Sequence, residues 1–142
     1  MSQCLKTYTS LWAMQPHDQT GMKLPYDQVC EMVANAGYDG MAIDLGAGDV
    51  TQAHEVRPHL ERHGLTPLIV AFPKTVEGLR ETLVMAKDFG SPFVDVIGQV
   101  MPLSVDGMIP VIRQWMDMAD QIGVPIQFES HRNCITNDLY ST

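Results

Sequence analysis

Basic residues are scarce in this 142-residue chain: nine Lys and Arg face 17 Asp and Glu, for a formal net charge of −8. Nucleic-acid binding needs clustered cations against phosphate, and no run of Lys or Arg forms a stripe, so that partner is excluded. Cysteine is scarce too. Cys4, Cys30 and Cys134 are odd in number and lack CxxC spacing, which fits a reducing compartment better than a disulfide framework. No segment approaches the roughly 18 consecutive apolar residues of a membrane span. No N-terminal stretch joins a basic start, an apolar core and a cleavage site. The expectation is a cytoplasmic chain with no membrane partner that handles small molecules. Linkers and low-complexity tracts are absent as well, so residues 1–142 are expected to form a single domain. With 45% hydrophobic and 18% charged residues, a packed core is within reach.

What the chain does have is punctuation by glycine. Gly37 in "NAGYDGMAIDL", Gly64 in "RHGLTPLIVAF", Gly90 in "DFGSPFVDVIG" and Gly123 in "QIGVPIQFE" each follow a helical pattern and precede a short apolar run. They read as helix stops, spaced by 27, 26 and 33 residues, the size of a strand plus a crossover helix. The first helix opens at "KLPYDQ", with Val29, Met32, Val33 and Ala36 on one face. The second spans about Thr51–His63, where Pro58 implies a kink or a late start. In the third, Thr75 is the expected helix cap and Leu79, Leu83 and Ala86 repeat at helical spacing. The fourth covers about Asp106–Ile122, with Ile109, Ile112, Met116 and Ala119 inward. Met32 and Met116 read as packing methionines and Trp115 as core.

The strands fall near Leu5–Trp12, Met41–Leu45, Pro67–Phe72, Phe93–Ile97 and Pro125–Glu129. Short apolar strands alternating with amphipathic helices imply a parallel sheet. Two α/β architectures accept five such strands and four crossover helices: part of a (β/α)8 barrel, or a doubly wound open parallel sheet. Asp95 and Gln127 interrupt apolar strands at positions alternating with Val94, Val96, Ile126 and Phe128. That pattern favours a barrel with polar layers inside.

In both architectures ligands gather at the C-terminal strand ends. Trp12, Asp44 with the turn "LGAGD", Phe72 to Lys74, Gln99, and the run Glu129-Ser130-His131-Arg132 fall there. Glu129 and His131 are two apart and project to one side of an extended chain. A carboxylate and an imidazole there suit a divalent metal, or a base with its orienting group. Arg132 suits a phosphate or carboxylate, and Trp12 a pocket wall. A salt-bridged strand end would use the same residues. The "HLERH" pair, His59 and His63, has metal-compatible spacing, but its Glu is misplaced for HExxH; a solvated helix face is the simpler reading. "LGAGDV" lacks the third glycine of a dinucleotide fingerprint and reads as a turn.

"FESHRN" after "ADQIGVPIQ", with "SLWAM", "AGYDGMAIDL" and "HGLTPLIV", resembles the xylose isomerase-like barrels, the sugar phosphate isomerase/epimerase superfamily. The resemblance runs the length of the chain. It implies a (β/α)8 barrel that acts on a sugar or sugar phosphate with a divalent metal (Mn, Mg, Co or Zn). Glu129 matches the strand-five metal ligand and, by similarity, a catalytic acid or base. Trp12, Asp44, Gln99, His131 and Arg132 are the expected substrate-binding residues. The chain departs from the family at "NDLYST", where a fifth helix would be capped by Asn137 or Asp138. Strands six to eight and three of the expected metal ligands are not in this sequence. The expectation is therefore a truncated barrel of five units, its own activity in doubt, that pairs with a second copy through its open side. A metal-dependent lyase or dehydratase of the same superfamily, or a non-catalytic half-barrel module, are the alternatives.

Overall fold

A computed structural model describes residues 5–14, 24–46, 48–101 and 104–136. Cys4 and the expected helix cap at Asn137 or Asp138 lie outside the described residues. Two compact units divide the chain, Met1–Leu68 and Ile69–Thr142.

The first unit holds β1 (Tyr8–Ser10), α1 (Tyr26–Asn35), β2 (Gly40–Asp44), α2 (Val50–Arg62) and the start of β3 (Thr66–Ala71). Pro25 stands at the cap of α1, where its missing N–H costs no helical hydrogen bond. The buried face of α1 is Val29, Cys30 and Val33. Met32 and Ala36, expected on that face, are exposed, because the helix is turned to place Cys30 inward beside Val29 and Val33. Asp49 caps α2 by accepting from the Gln52 N–H at 2.8 Å. The helix begins at Val50 and runs through Pro58, so of the kink or late start expected there the late start does not occur. Its inner residues Ala53, Val56 and Leu60 repeat at helical spacing.

The two units share the strand β3. The second unit continues with a 3-10 turn (Glu77–Leu79), α3 (Arg80–Phe89), β4 (Val94–Val96), α4 (Val105–Ile122) and β5 (Ile126–Phe128). Thr75 does not cap α3, whose N-cap is Leu79 with no side-chain bond; it accepts from the Gly78 N–H at 3.0 Å because the 3-10 turn comes between it and the helix. Leu79, Leu83 and Ala86 are fully buried. Ser104 caps α4 through the Gly107 N–H at 3.2 Å. The inner face of α4 is Met108, Val111, Trp115, Met118 and Ala119. Ile109 and Met116 are 43% and 51% exposed instead. Both faces have the same spacing; they differ by one residue, about 100° of rotation, and burying the large Trp115 ring decides between them. All four expected stop glycines have positive φ, from 68° to 85°.

The five strands form one sheet in the order β1-β2-β3-β4-β5, with parallel pairing. A doubly wound sheet requires that order to reverse, so that alternative is set aside. Val70, Asp95 and Gln127 stand in one register row across β3, β4 and β5. Val94 and Val96, on the opposite face, are fully buried where helices pack. The polar interruptions seen in the sequence therefore share the sheet face opposite Val94 and Val96. Among the described residues no helix is long and apolar enough to cross a membrane.

Candidate functional site

The second unit brings a pair of carboxylates together at its strand ends. β4 points Asp95 to the face opposite Val94 and Val96. β5 leads to Glu129, whose N–H donates to the Val96 carbonyl at 3.1 Å, two residues past Gln127, the register partner of Asp95. The Glu129 side chain stands near enough to Asp95 to act on its carboxyl. Burial pushes the Asp95 carboxyl up to about 6, and Glu129 pushes in the same direction.

His131 and Arg132 follow in a loop that is fastened at several points. The His131 N–H donates to Cys134 Sγ at 3.3 Å, and that thiol donates back to the His131 carbonyl. Thr136 Oγ1 donates to the Glu129 carbonyl at 2.8 Å. The Ile135 N–H donates to the Gly98 carbonyl at 2.8 Å. Asn133 takes a left-handed φ of 57°, which Asn tolerates better than most residues. The His131 ring stands edge-on to Phe72 at 6.2 Å and 88°. Its Nδ1 lies 2.7 Å from the Arg132 carbonyl; a carbonyl only accepts, so Nδ1 is the donor and Nε2 is turned to other partners.

Extended geometry had Glu129 and His131 on one side. Strand structure ends at Phe128; beyond it Glu129 stands by Asp95 and the His131 ring by Phe72. The Arg132 side chain is exposed. Gln99 follows β4, its N–H donating to the Pro73 carbonyl at 2.9 Å. An open pocket of about 450 Å³ is lined by Lys74, Gln99, Met101 and Asn133. The remaining two expected residues belong to the first unit. Trp12 sits in the turn after β1, 53% exposed. Asp44 ends β2 and spends Oδ1 on its own turn, accepting from the Gly46 N–H at 2.7 Å, with Gly48 N–H on its carbonyl at 2.9 Å. That confirms the turn reading of "LGAGD".

The histidine pair on α2 is no solvated face. His59 Nδ1 and His63 Nε2 each lie 3.2 Å from Asp27 Oδ1, and Arg62 donates to the same oxygen at 2.7 Å. This is a tie between α1 and α2.

Sequence reasoning noticed Asp95 only as an interior polar residue and Lys74 only as a strand-tip residue. The signal for the pairing was present: Asp95 aligned with Gln127 puts Glu129 one step along the same face. Asn133 carried no signal, since its left-handed turn depends on the loop's bonds to Cys134 and Gly98.

A hard divalent cation takes about six oxygen ligands. Asp95 and Glu129 offer carboxylate oxygens of the right kind, but among the described residues no group of three or more His, Cys, Asp or Glu stands together to hold a metal. The described residues do not make a metal centre by themselves.

No family model matches the chain, and no curated protein matches it either. Solved structures do. The 4-hydroxy-tetrahydrodipicolinate synthase of Methylacidiphilum fumariolicum SolV is similar at a TM-score of 0.65 and 12% identity, over 92% of this chain and 46% of that one. The D-allulose 3-epimerase of Methylomonas sp. gives 0.62 and 17%, over 94% and 55%. The N-acetylneuraminate lyase of Proteus mirabilis gives 0.58 and 17%, over 87% and 45%. The chain thus spans about half the length of these structures. At such identities the likeness concerns the fold, and with the sequential strand order it makes the chain a five-stranded portion of a (β/α)8 barrel.

Proposed function

We propose that this chain supplies half of a barrel enzyme that moves a proton next to the carbonyl of a sugar or sugar phosphate, as an isomerase or epimerase does. The observation that carries the reading is the neighbouring carboxyls of Asp95 and Glu129 at the strand ends where barrel enzymes do their chemistry. Two carboxylates held together take up one proton readily and give it back. Glu129 removes the proton from carbon, and Asp95 holds the pair in the geometry that returns it. His131 Nε2 orients a substrate hydroxyl, and Arg132, Gln99, Trp12 and Asp44 are proposed as further substrate contacts. A divalent cation is proposed as well, with Glu129 as one ligand and its other donors outside the described residues; such an ion polarises a carbonyl when bound. The barrel is proposed to be completed by a second copy.

Proton exchange tests this directly. Ketoses and ketose phosphates are incubated with the chain in D2O, with Mn, Mg, Co or Zn supplied, and loss of the proton beside the carbonyl is followed by NMR. Glu129→Gln is expected to slow exchange by about 10²–10⁴-fold. Exchange that survives Glu129→Gln, or none from the native chain with any metal, overturns the reading. Light scattering that finds only a monomer at micromolar concentration removes the second copy.

A further inference from the structure

The described residues include eight Lys and Arg, and most are engaged. Lys6, Arg57, Arg62 and Arg80 form ion pairs, and Lys87 donates to the Ile122 carbonyl at 2.6 Å. Lys74 has no carboxylate within salt-bridge distance among the described residues, although the chain carries 17 acids. It stands on the loop after β3 and lines the 450 Å³ pocket with Gln99, Met101 and Asn133. Among the described residues no acid lines that pocket.

Three loops build it, and main-chain bonds join them. The Gln99 N–H donates to the Pro73 carbonyl at 2.9 Å, tying the loop after β4 to the residue beside Lys74. The Ile135 N–H donates to the Gly98 carbonyl at 2.8 Å, tying the Asn133 loop to the residue beside Gln99. One ammonium and two carboxamides, each with N–H donors, thus border a space large enough for a small group. Charge-assisted donors of that kind select an oxyanion over a neutral hydroxyl.

The geometry points to an anion-binding subsite at Lys74, Gln99 and Asn133 that takes the phosphate or carboxylate of a small molecule. It deepens the proposed function and rests on it for one consequence: the substrate then carries an acidic group. Met101, half exposed at the pocket wall, packs against the carbon chain that bears that group.

The test is a titration of the full chain, read at the side-chain NH2 signals of Gln99 and Asn133 by NMR. Inorganic phosphate and acetate are the probes, each against sodium chloride at equal ionic strength. Saturable shifts with at least one probe are expected. Lys74→Met should weaken binding by at least tenfold, while Lys74→Arg should retain it. Arg113→Met, altering an exposed cation on α4, should leave it unchanged and so report a fold that tolerates charge removal. Tighter binding of phosphate identifies a phosphorylated ligand, and tighter binding of acetate a carboxylic acid. No saturable shift from either probe, or equal shifts in Lys74→Met, overturns the subsite. The titration needs no turnover, so its failure and a failure of proton exchange are separate results.

Discussion

The indole N–H of Trp115 donates to the carbonyl of Val76 at 2.9 Å. One side chain of α4 thereby closes the loop that precedes α3, and the same ring stacks on Phe128 of β5 at 6.1 Å and 27°. Trp115→Phe keeps most of the ring but leaves a carbonyl without its donor. It should cost about 1–3 kcal/mol, and Trp115→Ala about 3–5 kcal/mol, measured by urea unfolding. An unchanged midpoint for Trp115→Ala would show that the indole is not what holds this unit together.

Gly40 is a point of close approach in the first unit. A Cβ there would lie 2.1 Å from the Thr66 carbonyl oxygen and 2.6 Å from the Tyr8 ring. Gly40→Ala should destabilise by about 3 kcal/mol or more, since backbone has to shift. Adding Tyr8→Ala should not rescue it, because the carbonyl remains. Recovery in the double variant would place the obstruction in the ring.

Asp27 gives the first unit an acid-sensitive tie. His59, then His63 and Arg62, hold its carboxyl at about 2, against 3.8 for the free group. A lowered value stabilises the fold above pH 4 or so and stops doing so as pH falls toward 2. Asp27→Asn should therefore unfold at lower denaturant than the native chain at pH 7, with the gap closing near pH 2. A gap that is constant with pH would contradict the tie.

Asp95 has the opposite sign. Its carboxyl is raised to about 6 by burial first and by Glu129 second, so the stability it permits is complete below pH 4 or so and declines as pH rises through 6. Asp95→Asn should be more stable than the native chain at pH 8 and similar to it at pH 4. Denaturation with a chelator present checks this without a cation in place of the proton. A native chain that matches the variant at pH 8 would mean the two carboxylates do not strain each other.

The Cys30 thiol is pushed up to about 11 by burial, with the Asp27 charge adding to it. The thiolate is the reactive form. Iodoacetamide at pH 8 should label Cys30 only after unfolding; rapid labelling of the native chain would show that α1 opens readily.

Glycine spacing and strand composition placed every described helix and strand within a few residues, because Gly37, Gly64, Gly90 and Gly123 do stand in the left-handed conformation that stops a helix. The faces of α1 and α4 were less legible. Apolar residues sit on two adjacent helix faces there, and only packing of Cys30 and Trp115 decides which turns inward. The site was legible as a place, the strand ends, more than as a set of contacts. Glu129 and His131 share a period in the sequence, but β5 ends at Phe128, and the spacing alone does not name the neighbours, Asp95 and Phe72, that each one meets. The Asp27 tie was hidden because its members lie 32 to 36 residues apart.

Main-chain groups fasten the loops at the second unit's strand ends: Gln99 to Pro73, Ile135 to Gly98, Glu129 to Val96. Peptide groups are the same whatever residue carries them, proline apart. Side chains at 74, 99 and 133 are thus free to be exchanged over generations while the frame keeps its outline. A scaffold laced in this way lets chemistry drift under selection without first having to relearn how to fold.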